Sequence, residues 1–128
     1  MSVTEVVCCI VRNQQGKVLV AQRAYGDYAG KWEFAGGKIE TGESAEDACV
    51  REMDEELGIQ VDKLEFYDEE NVTVCDKPIR LIFYKCFCKD EIRRMKDHSQ
   101  VLWLDAKELV QLDWLEGDLR VVGRLISE

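Results

Sequence analysis

The chain has 128 residues, 46% of them apolar, which suits one core built without disulfides or a structural metal. Its formal net charge of −9 argues against long nucleic acid, which needs a basic face, and makes phosphate ligands workable only where divalent cations bridge them to carboxylates. No run approaches the roughly eighteen apolar residues of a membrane span, and Met1-Ser2-Val3-Thr4-Glu5 lacks the basic start of a secretory leader, so a cytoplasmic protein without a membrane partner is expected.

Val3 to Val11 is rich in β-branched residues and reads as a strand, followed by the turn Asn13-Gln14-Gln15-Gly16 and a second strand from Lys17 to Arg23. Residues 24–42 carry glycines at 26, 30, 36, 37 and 42 with Trp32 and Phe34 between them, the composition of a structured loop around a short strand. A helix is predicted from about 44 to 57: a polar residue opens it, Ala45, Ala48, Cys49, Met53 and Leu57 recur at helical spacing, and Gly58 stands where a helix stops. Leu64 to Val74 and Ile79 to Cys88 suggest an antiparallel pair across Cys75-Asp76-Lys77-Pro78. Val101 to Leu104 forms another strand, Asp105 to Leu109 a short helix, and Gly117 to Ile126 a terminal amphipathic one. Cys8, Cys9, Cys49, Cys75, Cys86 and Cys88 read mostly as small core residues with reduced thiols, and a single histidine, His98, leaves no zinc site.

On the predicted helix, Glu52, Glu55 and Glu56 fall within about 100° of one another and continue the stripe begun by Ala45, Ala48 and Cys49. Like charges at such spacing repel, and partial burial would cost more, so a cation is expected to compensate. Hard oxygen ligands suit Mg²⁺ or Mn²⁺; the competing reading is a solvated acidic face.

The longer pattern decides between them. From Gly37 the chain reads Gly37-x5-Glu43-x7-Arg51-Glu52-Met53-x-Glu55-Glu56-x-Gly58-Ile59, matching the signature box of the Nudix hydrolases at every defined position. By background residue frequencies such a match arises at a given start with a chance on the order of 10⁻⁹. Arg23 and the run Lys31-Trp32-Glu33-Phe34-Ala35-Gly36-Gly37-Lys38-Ile39-Glu40 make the chain resemble the MutT-like branch, with Ala35 where that branch commonly carries proline.

That resemblance implies one domain over residues 1–128, an α/β/α sandwich around a mixed, curved β-sheet. The metal ligands it implies are Glu52, Glu55, Glu56 and the backbone carbonyl of Gly36, holding Mg²⁺ or Mn²⁺. Gly36 and Gly37 are expected to let the backbone approach ion and phosphates, and Arg51 to clamp loop to helix through Glu43 or Glu55. The catalytic group so implied is Glu52, Arg51, Glu55 and Asp97, with His98 the rival of Asp97. Arg23, Gly36, Gly37 and Lys38 are the expected phosphate-side contacts, Phe34 lines the base pocket, and Arg80 and Tyr28 add phosphate and ribose contacts.

Asp118 aligns where relatives read the base edge with asparagine. An ionised aspartate only accepts hydrogen bonds, so it would seek an amino group such as that of cytosine or adenine; otherwise it is an exposed helix cap. The implied activity is hydrolysis of (deoxy)nucleoside triphosphates to monophosphate and pyrophosphate, with a role in sanitising the nucleotide pool, by a monomer acting on small molecules. Hydrolysis of ADP-ribose, ADP-sugars or dinucleoside polyphosphates is the alternative. A non-catalytic nucleotide sensor is disfavoured because the glutamates are intact.

Overall fold

Alternate residues of the first strand feed two different cores. In the computed structural model, which describes residues 3–128, β1 spans Thr4–Arg12. Met1 and Ser2, which entered the leader reading, lie outside the described residues. Val7, Cys9 and Val11 pack under the helix α1 (Ala45–Leu57), while Cys8 and Ile10 pack under α2 (Leu119–Ile126). That period-two alternation inside a continuous apolar run is what a strand covered on both faces requires. The result is the expected α/β/α sandwich.

The remaining strands are β2 (Val18–Arg23), β3 (Trp32–Glu33), β4 (Gly36–Lys38), β5 (Val61–Val74), β6 (Lys77–Cys88) and β7 (His98–Leu104). They form one sheet ordered β3-β2-β1-β6-β5, with β4 added to β1 and β7 to β2. β1 and β6 run parallel and the other neighbours antiparallel, so the sheet is mixed.

One edge of β1 is shared. β2 pairs with it only at Arg12↔Val18, whereas β4 takes Val6, Val7 and Cys8. β1 and β2 therefore diverge from that contact, and residues 32–38 fill the fork between them, fastened to β1 by the Cys9 N–H donating to the Ala35 carbonyl at 2.8 Å. The structured loop thus contains two short strands, where one was expected.

Elsewhere the boundaries shift for local reasons. The hairpin turn is only Cys75-Asp76, both with positive φ, because Val74 already pairs with Lys77; this is the backbone of the two-residue turn that matches strand twist. β7 begins at His98, three residues early, since backbone pairing with Arg23 and Gln22 extends it through polar residues. The terminal helix is preceded by a 3-10 turn over Glu116–Asp118, and a longer 3-10 segment covers Ala106–Gln111. All six cysteines are free thiols, and only Cys75 is exposed. Among the described residues no helix is long and apolar enough to cross a membrane.

Candidate active site

Local sequence explains why α1 is a well-ended platform. The Ser44 hydroxyl accepts from the Asp47 N–H at 3.0 Å, and Gly58, at φ 67°, turns the chain out while its N–H donates to Asp54 and that of Ile59 to Met53. Ala48, Cys49, Met53 and Leu57 are buried beneath the helix. Glu52 and Glu56 extend this inward face, with Glu56 only 9% exposed, while Glu55 turns outward and is half exposed.

Arg51 binds this helix to the loop before it. Its guanidinium donates to both oxygens of Glu43 (2.8 and 2.9 Å), to Glu52 at 2.7 Å, to Glu55 at 3.3 Å and to the Lys38 carbonyl at 3.1 Å. The Arg51 hydrogen bonds, aided by the Glu40 N–H, hold the Glu43 carboxyl down at about 2. Glu55 thus faces Arg51.

Burial drives the Glu56 carboxyl far above the usual carboxylate range, and hydrogen bonding to Glu52 and the charges of Glu52, Asp97 and Glu33 add to this. Its Oε2 is buried without a hydrogen-bond partner. A divalent cation beside the two carboxylates would offset this cost of burial and repulsion. Among the described residues no three acidic, cysteine or histidine side chains are gathered into a ready-made cage. The pair Glu52 and Glu56, with that orphaned oxygen, nevertheless suits a hard divalent ion that keeps most of its ligands as water and phosphate.

Each of the two glycines also meets a packing need of its own. A Cβ on Gly36 would lie 1.9 Å from the Val7 carbonyl oxygen, so Gly36 is needed for β4 to close on β1. A Cβ on Gly37 would lie 2.4 Å from the Glu52 carboxyl carbon, so Gly37 clears room for a candidate ligand.

From Glu56 and Gly37 a cavity of about 860 Å³ runs across the fork to β5, β6 and the Glu116–Asp118 turn. Arg23, Tyr28, Phe34, Gly36, Gly37, Lys38, Glu56, Asp97 and Asp118 all line it. Arg80 does not. Residues alternate across a strand, and Arg80 points to the opposite face from its cavity-lining neighbour Leu81, where it pairs with Glu5 at 3.1 Å.

Phe34 is fixed edge-on to Phe83 at 6.2 Å and tilted against Trp114 at 4.9 Å. Asp118 is 4% exposed and makes no side-chain cap to α2, which removes the exposed-cap reading. Its carboxylate makes a long contact, 3.4 Å, with the Phe34 N–H. Burial, with the charge of Glu33, lifts it to about 7. Glu33 went unassigned in the sequence, yet it accepts at 3.0 Å from His98 Nε2 and lies 3.7 Å from Arg23. Its signal was a charge set between Trp32 and Phe34, two rings that had to be buried. Tyr25 was also missed; its hydroxyl donates to Asp97 Oδ1 at 2.5 Å.

The model of the NUDIX domain matches residues 3–125. This chain belongs to the Nudix family. It is 36% identical over 128 residues to the CTP pyrophosphohydrolase of Escherichia coli K12, covering 99% of this chain and 94% of that one. It is 37% identical over 129 residues to the 8-oxo-dGTP diphosphatase of Haemophilus influenzae, covering 98% and 93%. Among solved structures, the solution structure of the E. coli ORF135 protein superposes with a TM-score of 0.86 at 33% identity, covering 99% of this chain and 91% of that one. This Nudix chain therefore shares both its sheet and its box helix with MutT-like relatives along nearly its whole length.

Proposed function

We propose that this Nudix domain hydrolyses (deoxy)nucleoside triphosphates to the monophosphate and pyrophosphate, with Mg²⁺ or Mn²⁺ as cofactor, and that it favours bases carrying an exocyclic amino group. The observation that carries this reading is one continuous cavity lined by Glu56, the inward partner of Glu52, at one end and by buried Asp118 at the other. The names of relatives, a CTP pyrophosphohydrolase and two 8-oxo-dGTP diphosphatases, support the triphosphate and a role in clearing altered nucleotides from the pool.

Glu52 and Glu56, joined by Glu55 and the Gly36 carbonyl, would hold the cation, whose chemistry is to neutralise phosphate oxygens and acidify water. Arg23, Lys38 and the Gly37 backbone bind and orient the phosphate chain from the cavity wall. Phe34 and Tyr28 flank the nucleoside, and ionised Asp118 accepts from the amino group. Arg51 keeps loop and helix in register. Asp97 takes the proton as the water oxygen bonds to phosphorus and the α–β bridging P–O bond breaks, the bridging oxygen staying with the leaving group so that monophosphate and pyrophosphate separate.

The test is a panel of nucleotides at pH 8 with Mg²⁺: CTP, dCTP, ATP, GTP, UTP, 8-oxo-dGTP and ADP-ribose, with pyrophosphate and monophosphate quantified. Turnover of a triphosphate bearing an amino group, exceeding that of UTP and ADP-ribose, is expected, and Asp118→Asn narrows the difference. Faster cleavage of ADP-ribose than of every triphosphate overturns the proposal.

A further inference from the structure

We infer that Tyr25 is a positioning residue for Asp97, fixing which carboxylate oxygen faces the reacting water. The inference rests on the functional reading above, because it assigns Tyr25 a role through the proposed base. Asp97 belongs to the segment before β7, and the backbone around it is already pinned. The Lys96 N–H donates to the Glu56 carbonyl at 3.2 Å, the Asp97 carbonyl accepts from the Ala24 N–H at 3.4 Å, and His98 is buried and held by Glu33. Rotation of the Asp97 carboxylate is the freedom that remains.

The Tyr25 hydroxyl removes it. It reaches across from residue 25, donates to Oδ1 at 2.5 Å and leaves Oδ2 free to accept, while both residues line the cavity. Tyr25 has no role in the core: it is 65% exposed, so its hydroxyl contact, and not packing, is what it contributes. Its loop is closed at the base by the Arg23 N–H to the Lys31 carbonyl (2.9 Å) and the Gly30 N–H to the Arg23 carbonyl (3.0 Å). A phenol donor on a carboxylate is the same device by which a third group orients a catalytic base elsewhere: direction is set by a hydrogen bond, without contact to substrate.

Tyr25→Phe keeps the ring and deletes only the donor. Steady-state pyrophosphate release at saturating Mg²⁺ is compared for wild type, Tyr25→Phe, Asp97→Asn and the double variant. Expected are a fall in kcat of about tenfold for Tyr25→Phe with KM within about twofold, and about 10²-fold for Asp97→Asn. The double variant should match Asp97→Asn alone, because a positioning residue has nothing left to position. An unchanged Tm for Tyr25→Phe shows that the fold is intact, as its exposure requires.

If Tyr25→Phe retains full kcat, or if its effect multiplies with that of Asp97→Asn, the inference about Tyr25 fails while the reading of Asp97 stands. If Asp97→Asn retains full kcat, both fail. If wild type releases no pyrophosphate, the functional reading fails and takes this inference with it.

Discussion

Glu56 lies one helical turn from Glu52 on the inward face of α1, buried, with its Oε2 left without a hydrogen-bond partner. Burial and the neighbouring Glu52 carboxyl favour its neutral form, which a bound cation would reverse. Glu56→Gln keeps the shape and buries no charge, so Tm is expected to change by less than about 3 °C. Mn²⁺ affinity, read by calorimetry, should fall at least about tenfold, and kcat with Mg²⁺ about 10²-fold or more.

Chelation gives a second reading of the same pair. Because a cation bound only by the folded chain stabilises it, Mg²⁺ added after EDTA treatment is expected to raise Tm in wild type and to restore pyrophosphate release. Scanning calorimetry on Glu56→Gln should show a smaller rise; an equal rise would move the cation away from Glu56.

Asp118 predicts a stability that depends on pH. Its carboxyl sits at about 7 in the fold against an ordinary 3.8, so the folded state binds its proton more tightly than the unfolded state. Folding is therefore least penalised below about pH 4, loses stability as pH climbs through about 7, and stays at the lower value above. The penalty at pH 8 is on the order of 2–4 kcal/mol. Asp118→Asn should raise Tm at pH 8 and do so little at pH 4, measured by thermal melts at matched ionic strength.

Neighbouring glycines should fail in different ways. Gly36→Ala drives a methyl into the Val7 carbonyl, which cannot move without breaking β1 from β4, so loss of folding is expected, seen as a collapsed melt or insolubility. Gly37→Ala displaces the Glu52 carboxylate, a flexible neighbour, so the domain should still melt cooperatively while kcat drops about tenfold or more.

Arg51→Lys exchanges a two-pronged clamp for a single point of charge. Glu43, held at about 2 by that clamp, should titrate closer to an ordinary glutamate, followed by carboxyl carbon NMR, and turnover should fall as loop and helix lose register.

Helix α1 was legible because everything that makes it is local: Ser44 and Gly58 end it, and the spacing of Ala48, Cys49 and Met53 turns Glu52 and Glu56 inward. The box spacing carried the family for the same reason. Contacts far apart in sequence were not legible. Tyr25 with Asp97 and Glu33 with His98 meet only because β2, β3 and β7 lie side by side. Arg80 was misplaced because one residue of strand parity separates the cavity from the opposite face, and charge gives no hint of parity. Asp118 was offered both a cap and a pocket role; the 3-10 turn before α2, invisible in the helical pattern, turned its side chain inward.

The fork in the sheet also acts as a gauge. Gly36 and Gly37 hang from β1 at Cys8 and Val7, Phe34 lies two residues back in the gap, and Asp118 reaches its backbone. On the proposed reading, the span from scissile phosphate to base is set by strand geometry, through the points at which β4 and Ala35, next to Phe34, are fastened to β1. A one-residue insertion within β1 would leave every acid in place along the chain and still detune the instrument, because phosphate and base would no longer be measured from the same mark.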